Sequence, residues 1–475
     1  MVAIEIDNYI RISGISKALF TQLRKRLTYD NPSFVNATKY GRGFVGRGIP
    51  STLRTWDFVD NQLCLPRGIM MELFTLLGDH GIKFNVTDRR NFVCCTEAPI
   101  QQIELRDYQE DLVSHAAIYP GAGYVIQSPP GTGKTLCGLE LARRESRKTL
   151  WITHTKELAQ QTMLAASDEA KVKVLALPKK DIGFIGSGNF KIGEFLTIAL
   201  IQSLQRKPEA LEQLKYEFGT IIIDEVHHSP ATTWRHVIYQ FAPAKTIGLT
   251  ATSYRPDGLS QMLFDCIGPV VACSNKELLV KAGVMIVPDY YIYYTGRSYS
   301  GESFQEIVSH LVDDPSRNRD ILSLIIDNTS REENNVVLFL SSRVKHVNEI
   351  ERYCYDYGVN TVKLIGSLSK LERSLAYERL RSNPGVILAT DKLLGEGFDH
   401  PPINTIIIGT PFKNPVVLEQ MVGRAQRLRE GKTFARIIDM SDNNAMLAKQ
   451  SNTRRAIAAG LGMDVAVYPW RLNAI

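Results

Sequence analysis

Residues 128–135 read Ser-Pro-Pro-Gly-Thr-Gly-Lys-Thr and lie between an apolar run at 124–127 and an amphipathic stretch at 136–144. A strand, a glycine-rich turn and a helix in that order predict a phosphate-binding loop, because the backbone N–H groups of the turn point toward phosphate oxygens. Lys134 is then expected to reach the β- and γ-phosphates of ATP, and the Thr135 hydroxyl to bind Mg²⁺. The pattern departs from the usual one at Ser128, where glycine is expected. The remaining expected ATP contacts in the loop are Pro130, Gly131, Thr132 and Gly133.

A second motif follows about ninety residues later, where residues 221–228 read Ile-Ile-Ile-Asp-Glu-Val-His-His. It predicts a buried strand that ends in two acids. Asp224 is expected to hold the Mg²⁺ shell and Glu225 to polarise the attacking water. Either motif alone could arise by chance, but together and in this order they predict nucleotide hydrolysis. His227 and His228 are adjacent on a strand end and point to opposite faces, which argues against a shared metal ion.

Apolar runs alternate with amphipathic stretches on both sides of these motifs. Strands are predicted at 123–127, 149–154, 195–201, 219–224 and 246–251, with helices at 156–170 and 208–217. The pattern returns with strands at 336–341, 361–365, 385–390, 404–410 and 434–439, and helices at 344–357, 370–382 and 414–428. Continuous apolar strands with helical crossovers predict parallel sheets covered on both faces. The predicted fold class is α/β, with two doubly wound parallel-sheet domains in tandem after a small α+β domain.

The predicted domain boundaries follow from these changes of pattern. Residues 1–100 carry 13 Lys/Arg against 9 Asp/Glu, out of a net charge of +6 for the chain. They predict a basic accessory domain that binds DNA and can be removed without unfolding the rest. The ATP-binding domain is predicted at 101–290, the second α/β domain at 291–445 and a C-terminal tail at 446–475.

Composition excludes several other classes of protein. Hydrophobic residues make up 44% and charged residues 22% of the chain, which predicts folded domains rather than disorder. No apolar run approaches the ~20 residues of a membrane helix, and no secretory signal is evident at the N-terminus. The seven Cys residues include no CxxC pair, which argues against a zinc site and favours a reducing compartment. A cytoplasmic protein is expected, within the host if a phage encodes it.

Further motifs, taken in order, resemble those of the superfamily-two helicases of the DExH type, over roughly residues 104–440. This resemblance implies two RecA-like domains with ATP between them, which close on ATP and reopen after hydrolysis. The segment 105–109 looks like the adenine-reading motif, with Arg106 and Gln109 as ATP contacts. His227, Thr250 and Thr252 match the positions that couple hydrolysis to domain movement. The matching strand-tracking positions of the first domain are Thr155, Lys156, Gly186, Ser187, Thr197 and Gln202.

The second half carries its own series of similar motifs. The run Gly-Glu-Gly-Phe-Asp at 395–399 looks like the motif that touches nucleic acid and the ATP ribose, through Gly397 and Asp399. Residues 420–427 match QxxGRxxR, so that Gln420, Arg424 and Arg427 are implied to act at the γ-phosphate. For these arginines the alternative is an ordinary surface helix with ion pairs. The matching positions for nucleic-acid backbone contact are Ser341, Arg343, Gly366, Ser367, Thr390 and Lys392.

The histidine of the DExH motif argues against the RNA-dominated DEAD group. The segment with Arg106 and Gln109 looks more like the DNA-directed branch, which includes XPB-like translocases, restriction motors and phage recombination helicases of the UvsW type. The basic loop 39–47 adds Arg42 and Arg47 as candidate DNA contacts, with solvated surface as the alternative. The sequence therefore predicts an ATP-dependent DNA helicase or translocase acting on forks and Holliday-type junctions in replication, recombination or repair. Three alternatives stay open: an RNA helicase, the motor subunit of a restriction or defence complex, and an ATP-switched binding module without processive movement.

Overall fold

The structure is a computed structural model of the 475-residue chain. It describes residues 2–40, 49–95, 104–129, 131–170, 173–206, 208–226, 231–251, 258–330, 335–382, 385–391, 403–412, 415–428 and 432–469. These residues divide into two units, Met1–Asn275 and Lys276–Ile475.

Unit 1 begins with a small α+β domain. Its five-stranded sheet has the order β5-β6-β2-β1-β7, and β3 pairs separately with β4. One face of the sheet packs on helices α1 and α3 around a core that includes Ile4, Ile12, Leu23 and Leu73. The strands are β1 (Val2–Ile6), β2 (Ile10–Ser13), β3 (Thr28–Asp30), β4 (Thr52–Arg54), β5 (Asp57–Val59), β6 (Gln62–Leu65) and β7 (Phe84–Asp88). The helices are α1 (Lys17–Arg26), α2 (Pro32–Tyr40), a 3₁₀ turn at Arg67–Ile69 and α3 (Met70–Asp79).

The rest of unit 1 is an α/β domain built on an eight-stranded sheet of order β11-β10-β12-β9-β13-β14-β8-β15. All of its neighbouring strands pair in parallel except the β10–β11 hairpin. The strands are β8 (Gly123–Gln127), β9 (Thr149–Thr153), β10 (Gly183–Gly186), β11 (Asn189–Lys191), β12 (Leu196–Leu200), β13 (Thr220–Ile223), β14 (Lys245–Thr250) and β15 (Val270–Cys273). The helices are α4 (Asp107–Ala117), α5 (Lys134–Glu145), α6 (Lys156–Ala166), α7 (Ile201–Gln205), α8 (Pro208–Gln213), α9 (Ala231–Ile238) and α10 (Ser260–Ile267), with a 3₁₀ turn at Lys179–Asp181.

Unit 2 is a second α/β domain with a seven-stranded parallel sheet of order β18-β19-β17-β20-β21-β16-β22. Its strands are β16 (Asp289–Ser298), β17 (Val336–Ser341), β18 (Thr361–Leu364), β19 (Val386–Thr390), β20 (Ile403–Ile408), β21 (Arg436–Asn443) and β22 (Val465–Pro469). Its helices are α11 (Lys276–Lys281), α12 (Phe304–Asp313), α13 (Pro315–Ser330), α14 (Val344–Asp356), α15 (Lys370–Ser382), α16 (Pro415–Ala425) and α17 (Ala445–Gly460).

The predicted α/β class with two tandem parallel-sheet domains is confirmed, and the predicted strands of both sheets form within a few residues of their expected bounds. Parallel strands are buried on both faces, so their sequences are continuously apolar, as in the fully buried strands Thr220–Ile223 and Val386–Thr390. Because parallel strands run the same way, their carboxyl ends line one edge of each sheet, where the motif residues lie.

Two predicted boundaries differ from the structure. The predicted boundary between residues 290 and 291 falls inside β16, which pairs with β21 and β22 in the second sheet. The predicted tail at 446–475 contains α17 and β22, and Arg454 of α17 forms a buried ion pair with Asp439 of β21 at 2.8 Å. These elements therefore belong to the second domain.

The N-terminal domain is joined to the α/β domain of unit 1 by buried polar contacts. Arg26 of α1 donates to both carboxylate oxygens of Asp265 on α10, at 2.9 and 3.0 Å. Arg67 is 2% exposed and donates to the carbonyl of Pro243 at 2.7 Å and to Thr246 Oγ1 at 3.1 Å. Residues 1–100 therefore pack against the ATP-binding domain within one unit, and the folding of the remainder after their removal stays a prediction.

Candidate nucleotide-hydrolysis site

The phosphate loop connects β8 to α5 and depends on two glycines. Gly131 and Gly133 have φ values of 83° and 87°, which is left-handed backbone that favours glycine. A Cβ atom on Gly133 would also lie 2.4 Å from Gln109 Nε2. Larger residues at either position would therefore distort the turn that brings backbone N–H groups to the N-terminus of α5.

Ser128 occupies the position where the loop pattern usually has glycine, and its hydroxyl holds the loop. Its Oγ lies 2.5 Å from Thr132 Oγ1 and 2.7 Å from Ser274 Oγ, and the side chain is buried. Its backbone N–H donates to the carbonyl of Thr250 at 3.0 Å, which links the loop to the end of β14. Serine thus replaces the missing glycine with a hydrogen-bonded contact. Ser274 was not predicted, and nothing in its local sequence marks it.

Lys134 and the acid pair come together at the carboxyl ends of β8 and β13. Lys134 Nζ lies 3.2 Å from the carbonyl oxygen of Ser128 and 3.6 Å from Glu225 Oε1. Burial raises the pKa of Asp224, the neighbouring Glu225 charge raises it further, and Lys134 lowers it. A buried carboxylate in this setting is stabilised by added positive charge.

Glu225 is held in an unusual backbone conformation, with a φ of 49°. The flanking backbone fixes it, because Asp224 N–H donates to Ile152 O at 2.9 Å and Val226 N–H donates to Leu249 O at 3.2 Å. Non-glycine residues rarely adopt left-handed φ values, and such strain is kept where neighbouring structure imposes it, often at functional sites. The neighbouring strands β9 and β14 therefore set the direction of the Glu225 side chain.

These residues fit Mg²⁺ and the phosphates of ATP. Asp224 offers a buried carboxylate and Thr135 a hydroxyl in the first turn of α5, which are oxygen ligands of the kind Mg²⁺ prefers. A bound Mg²⁺ supplies positive charge that neutralises the phosphates during transfer. The glycine turn and Lys134 can bind phosphate oxygens, and Glu225, with about a fifth of its side chain exposed, can accept a hydrogen bond from water.

A cleft of about 400 Å³ opens beside the loop, between α4 and residues 131–136. Tyr108 Oη and Gln109 Nε2 both donate to the carbonyl of Thr132, at 3.2 and 3.0 Å. Gln109 Oε1 accepts from the N–H of Arg106 at 3.1 Å. The Gln109 amide therefore ties α4 to the phosphate loop, and adenine recognition by Arg106 and Gln109 stays a prediction. Tyr108 was missed from the sequence, although it lies inside the same motif.

Some predicted strand-tracking residues of unit 1 lie together at the carboxyl edge of its sheet. Gln202 Nε2 donates to the carbonyl of His154 at 3.0 Å, next to Thr155, whose hydroxyl caps α6 by accepting from Leu158 N–H at 3.2 Å. Lys156 is exposed. Gly186 is buried and follows Ile185, which pairs with Ala199 of β12. Ser187 is exposed in the turn between β10 and β11 and has a φ of 50°.

Three of the residues predicted to contact nucleic acid are buried in the structure. Thr197 is fully buried in β12, and its hydroxyl accepts from Gly193 N–H at 3.0 Å. Ser341 is buried and bonds His346 Nδ1 at 3.1 Å, and Thr390 is buried at the end of β19. The hydroxyls of Thr197 and Ser341 thus form hydrogen bonds inside their domains. Arg343 is partly exposed, and Gly366 and Ser367 are exposed in a turn, so their accessibility is compatible with the prediction.

The arginines of the QxxGRxxR motif lie on and just after α16. Burial lowers the pKa of Arg424 to about 10 and also lowers the pKa of Arg427. Arg424 is 8% exposed, which argues against the surface-helix alternative for this residue. The side chain of Gln420 is not among the described atoms. The other predicted site residues that lie wholly outside the described part of the chain are Arg42, Arg47, Pro130, His227, Thr252, Lys392, Gly397 and Asp399.

Side-chain clusters able to hold a metal ion and membrane-spanning helices are both absent from the described residues. No group of three or more His, Cys, Asp or Glu side chains there is arranged to hold a metal ion. No helix among them is long and apolar enough to cross a membrane.

Two known protein families match the chain, one in each of its α/β domains. Residues 102–255 match the family described as "Type III restriction enzyme, res subunit", and residues 316–429 match "Helicase conserved C-terminal domain". "Probable helicase D10" of Escherichia phage T5 is 27% identical over 388 residues, which cover 80% of this chain and 81% of that protein. "DNA 3'-5' translocase XPB2" of Sulfurisphaera tokodaii is 31% identical over 178 residues, 38% of this chain and 37% of that protein.

The fold is shared with solved structures. The "ATP-dependent Type ISP restriction-modification enzyme LlaBIII bound to DNA" aligns with a TM-score of 0.55 at 16% identity, over 78% of this chain and 32% of that one. At this identity the likeness concerns the fold alone.

Proposed function

The chain belongs to the superfamily-two helicases and hydrolyses ATP, and from this premise we propose that it is a DNA helicase or translocase acting on forks and Holliday-type junctions. Its role would lie in replication, recombination or repair. The nucleic-acid class and the branched shape of the substrate are the parts that we propose.

The observation that carries this proposal is the fixed attachment of the basic N-terminal domain to the ATP-binding domain. The contacts of Arg26 with Asp265 and of Arg67 with Pro243 join the small domain to the unit that carries the phosphate loop. A surface fixed to the motor can hold a second duplex arm while the motor domains follow one strand. This arrangement favours a branched substrate over a plain single strand. The named activity of the XPB2 relative, a DNA translocase, also favours DNA.

We assign roles within ATP hydrolysis as follows. Lys134 and the glycine turn bind the phosphates, Thr135 and Asp224 hold Mg²⁺, and Glu225 orients the attacking water. Arg424 and Arg427, with Gln420, stabilise charge on the transferring phosphoryl group. His227, Thr250 and Thr252 couple hydrolysis to movement, and Gly397 and Asp399 contact the ribose.

We assign backbone contact with DNA to accessible residues only. In unit 1 these are Thr155, Lys156, Ser187 and Gln202, which follow the carboxyl ends of β9, β10 and β12. Such contacts position a strand without reading its sequence, which suits a motor that moves along any DNA.

The test is the ATPase rate of the full chain with a panel of forks, four-way junctions, duplexes, single strands and the matching RNAs. We expect the largest stimulation with forks or junctions. Equal or greater stimulation by RNA would replace this proposal with an RNA helicase. Stimulation without displacement of a labelled strand or of a bound roadblock would indicate the ATP-switched binding module.

A further inference from the structure

The cluster of Arg24, Arg54, Arg235 and Trp56 lies where the N-terminal domain meets the α/β domain of unit 1. The Arg24 guanidinium stacks over the Trp56 ring at 4.5 Å from Cζ to the ring centroid, and the Arg54 guanidinium does so at 4.8 Å. Arg24 also lies 5.3 Å from the Phe20 ring. Arg235 of α9 donates to the carbonyl of Arg54. Two guanidinium groups from separate elements therefore lie over one buried indole, and that of Arg235 lies beside them through its bond to the Arg54 backbone.

The positive charge of these arginines is only weakly neutralised by nearby carboxylates. Arg54 meets Asp57 at 3.4 Å, where both side chains are about half exposed, a pairing that water screens. No carboxylate among the described residues lies within ion-pair distance of Arg24 or Arg235. By contrast, the neighbouring Arg26 is paired with both Asp265 and Glu72. Among the described residues of this cluster, positive charge without a carboxylate at ion-pair distance thus remains at Arg24 and Arg235.

The aromatic stacking fixes these cations in position. The two ring distances of 4.5 and 4.8 Å mean that the Arg24 and Arg54 guanidiniums are at most about 9 Å apart, held by cation–π attraction. Trp56 is itself anchored, because its Nε1 donates to Thr28 Oγ1 at 3.0 Å. Fixed, closely spaced and accessible guanidiniums suit a polyanion of high charge density, which DNA is, with about one charge per 1.7 Å of duplex.

We propose that the cluster of Arg24, Arg54, Arg235 and Trp56 is a binding site for the phosphodiester backbone of nucleic acid, outside the motor motifs. It rests on the proposed function, since it gives that substrate a second point of contact. Arg24 and Arg54 bind adjacent phosphates, and Trp56 acts as the platform that positions them. The Arg235 link makes the site continuous with α9, so an arm bound here is fixed relative to the ATP-binding domain.

The experiment compares full-length wild type with Arg24→Gln/Arg54→Gln, Arg24→Lys/Arg54→Lys and the control Arg89→Gln/Arg352→Gln. The control removes two exposed arginines elsewhere, each of which is paired with a glutamate. Binding to a fluorescent fork, a blunt duplex and a single strand is titrated at several salt concentrations. Thermal melting is recorded for each variant.

We expect the Gln pair to bind the fork more weakly and to flatten the plot of log affinity against log salt by about 1.4–1.8, for two lost phosphate contacts. The Lys pair and the control are expected to keep the wild-type slope. A lower melting temperature with an unchanged slope would overturn the site and leave the cluster as a stabilising stack. Wild type that neither binds nor responds to any nucleic acid would overturn the proposed function as well.

Discussion

The attachment of the N-terminal domain can be tested by replacing Arg26 with alanine. Asp265 is 1% exposed on its side chain, whereas Glu72, the other partner of Arg26, is 51% exposed. Removing one partner of a buried ion pair costs about 3–5 kcal/mol, because the other charge is left without compensation. Tyr29 and Gln261 still donate to Asp265, and Arg26 is about a third exposed. The lower end of that range is therefore expected, a loss of about 3 kcal/mol.

Glu72→Ala is the matched control, since it removes only the exposed half of the same Arg26 interaction. An exposed ion pair contributes about 0–1 kcal/mol, so this variant should be close to wild type. The measurement is urea unfolding of the full chain at neutral pH, followed by hydrogen exchange in β1 and in α10. Both elements should lose protection together in Arg26→Ala.

The pH dependence gives a second readout of the same pair. Burial raises the pKa of Asp265 and Arg26 lowers it, so Arg26→Ala is expected to raise it further. An acid whose folded pKa exceeds its unfolded pKa loses stability as pH rises from its unfolded value. The cost of Arg26→Ala should thus be small near pH 4 and grow toward neutrality. A cost no larger than that of Glu72→Ala, or one independent of pH, would refute the buried-pair reasoning.

The remaining predictions concern the nucleotide site. Lys134→Ala should weaken ATP binding and abolish turnover, whereas Glu225→Gln should keep ATP binding and block hydrolysis; near-normal turnover in the latter would remove Glu225 from its role. Asp224→Asn should abolish the Mg²⁺-dependent ATPase activity. At pH values above about 4 it should also raise the melting temperature, because the buried carboxylate, whose folded pKa is raised, no longer has to ionise. An unchanged or lower melting temperature would contradict this. Arg424→Ala or Arg427→Ala should lower kcat by up to about 10³-fold, with DNA affinity in the absence of nucleotide kept; a loss of affinity with intact ATPase would make the arginine a DNA contact.

Much of the α/β architecture could be predicted from the sequence. Strands such as 123–127 and 336–341 are continuous apolar runs, and a strand buried on both faces of a parallel sheet needs that composition. The glycine turn of the phosphate loop could also be predicted, because the backbone conformations of Gly131 and Gly133 favour glycine. The position of Asp224 and Glu225 could be predicted for a similar local reason, since they directly follow a buried strand.

Contacts between distant segments could not be predicted in this way. Ser128 meets Ser274 across 146 residues, and Arg26 meets Asp265 across 239 residues. Thr197 and Ser341 match motif positions by residue type, but the side of the strand on which each lies puts it in the interior.

The two parallel sheets and the glycine turn of the phosphate loop could be predicted from local sequence alone, since both depend on apolar runs and backbone conformations encoded within a few consecutive residues. The placement of the N-terminal domain in unit 1 and the stacking of Arg24 and Arg54 on the Trp56 ring instead follow from contacts between segments that are distant in sequence. The physical reason is that a hydrogen bond or a stacked ring depends on distance in space, and no local pattern records which remote carboxylate or ring will be within reach after folding.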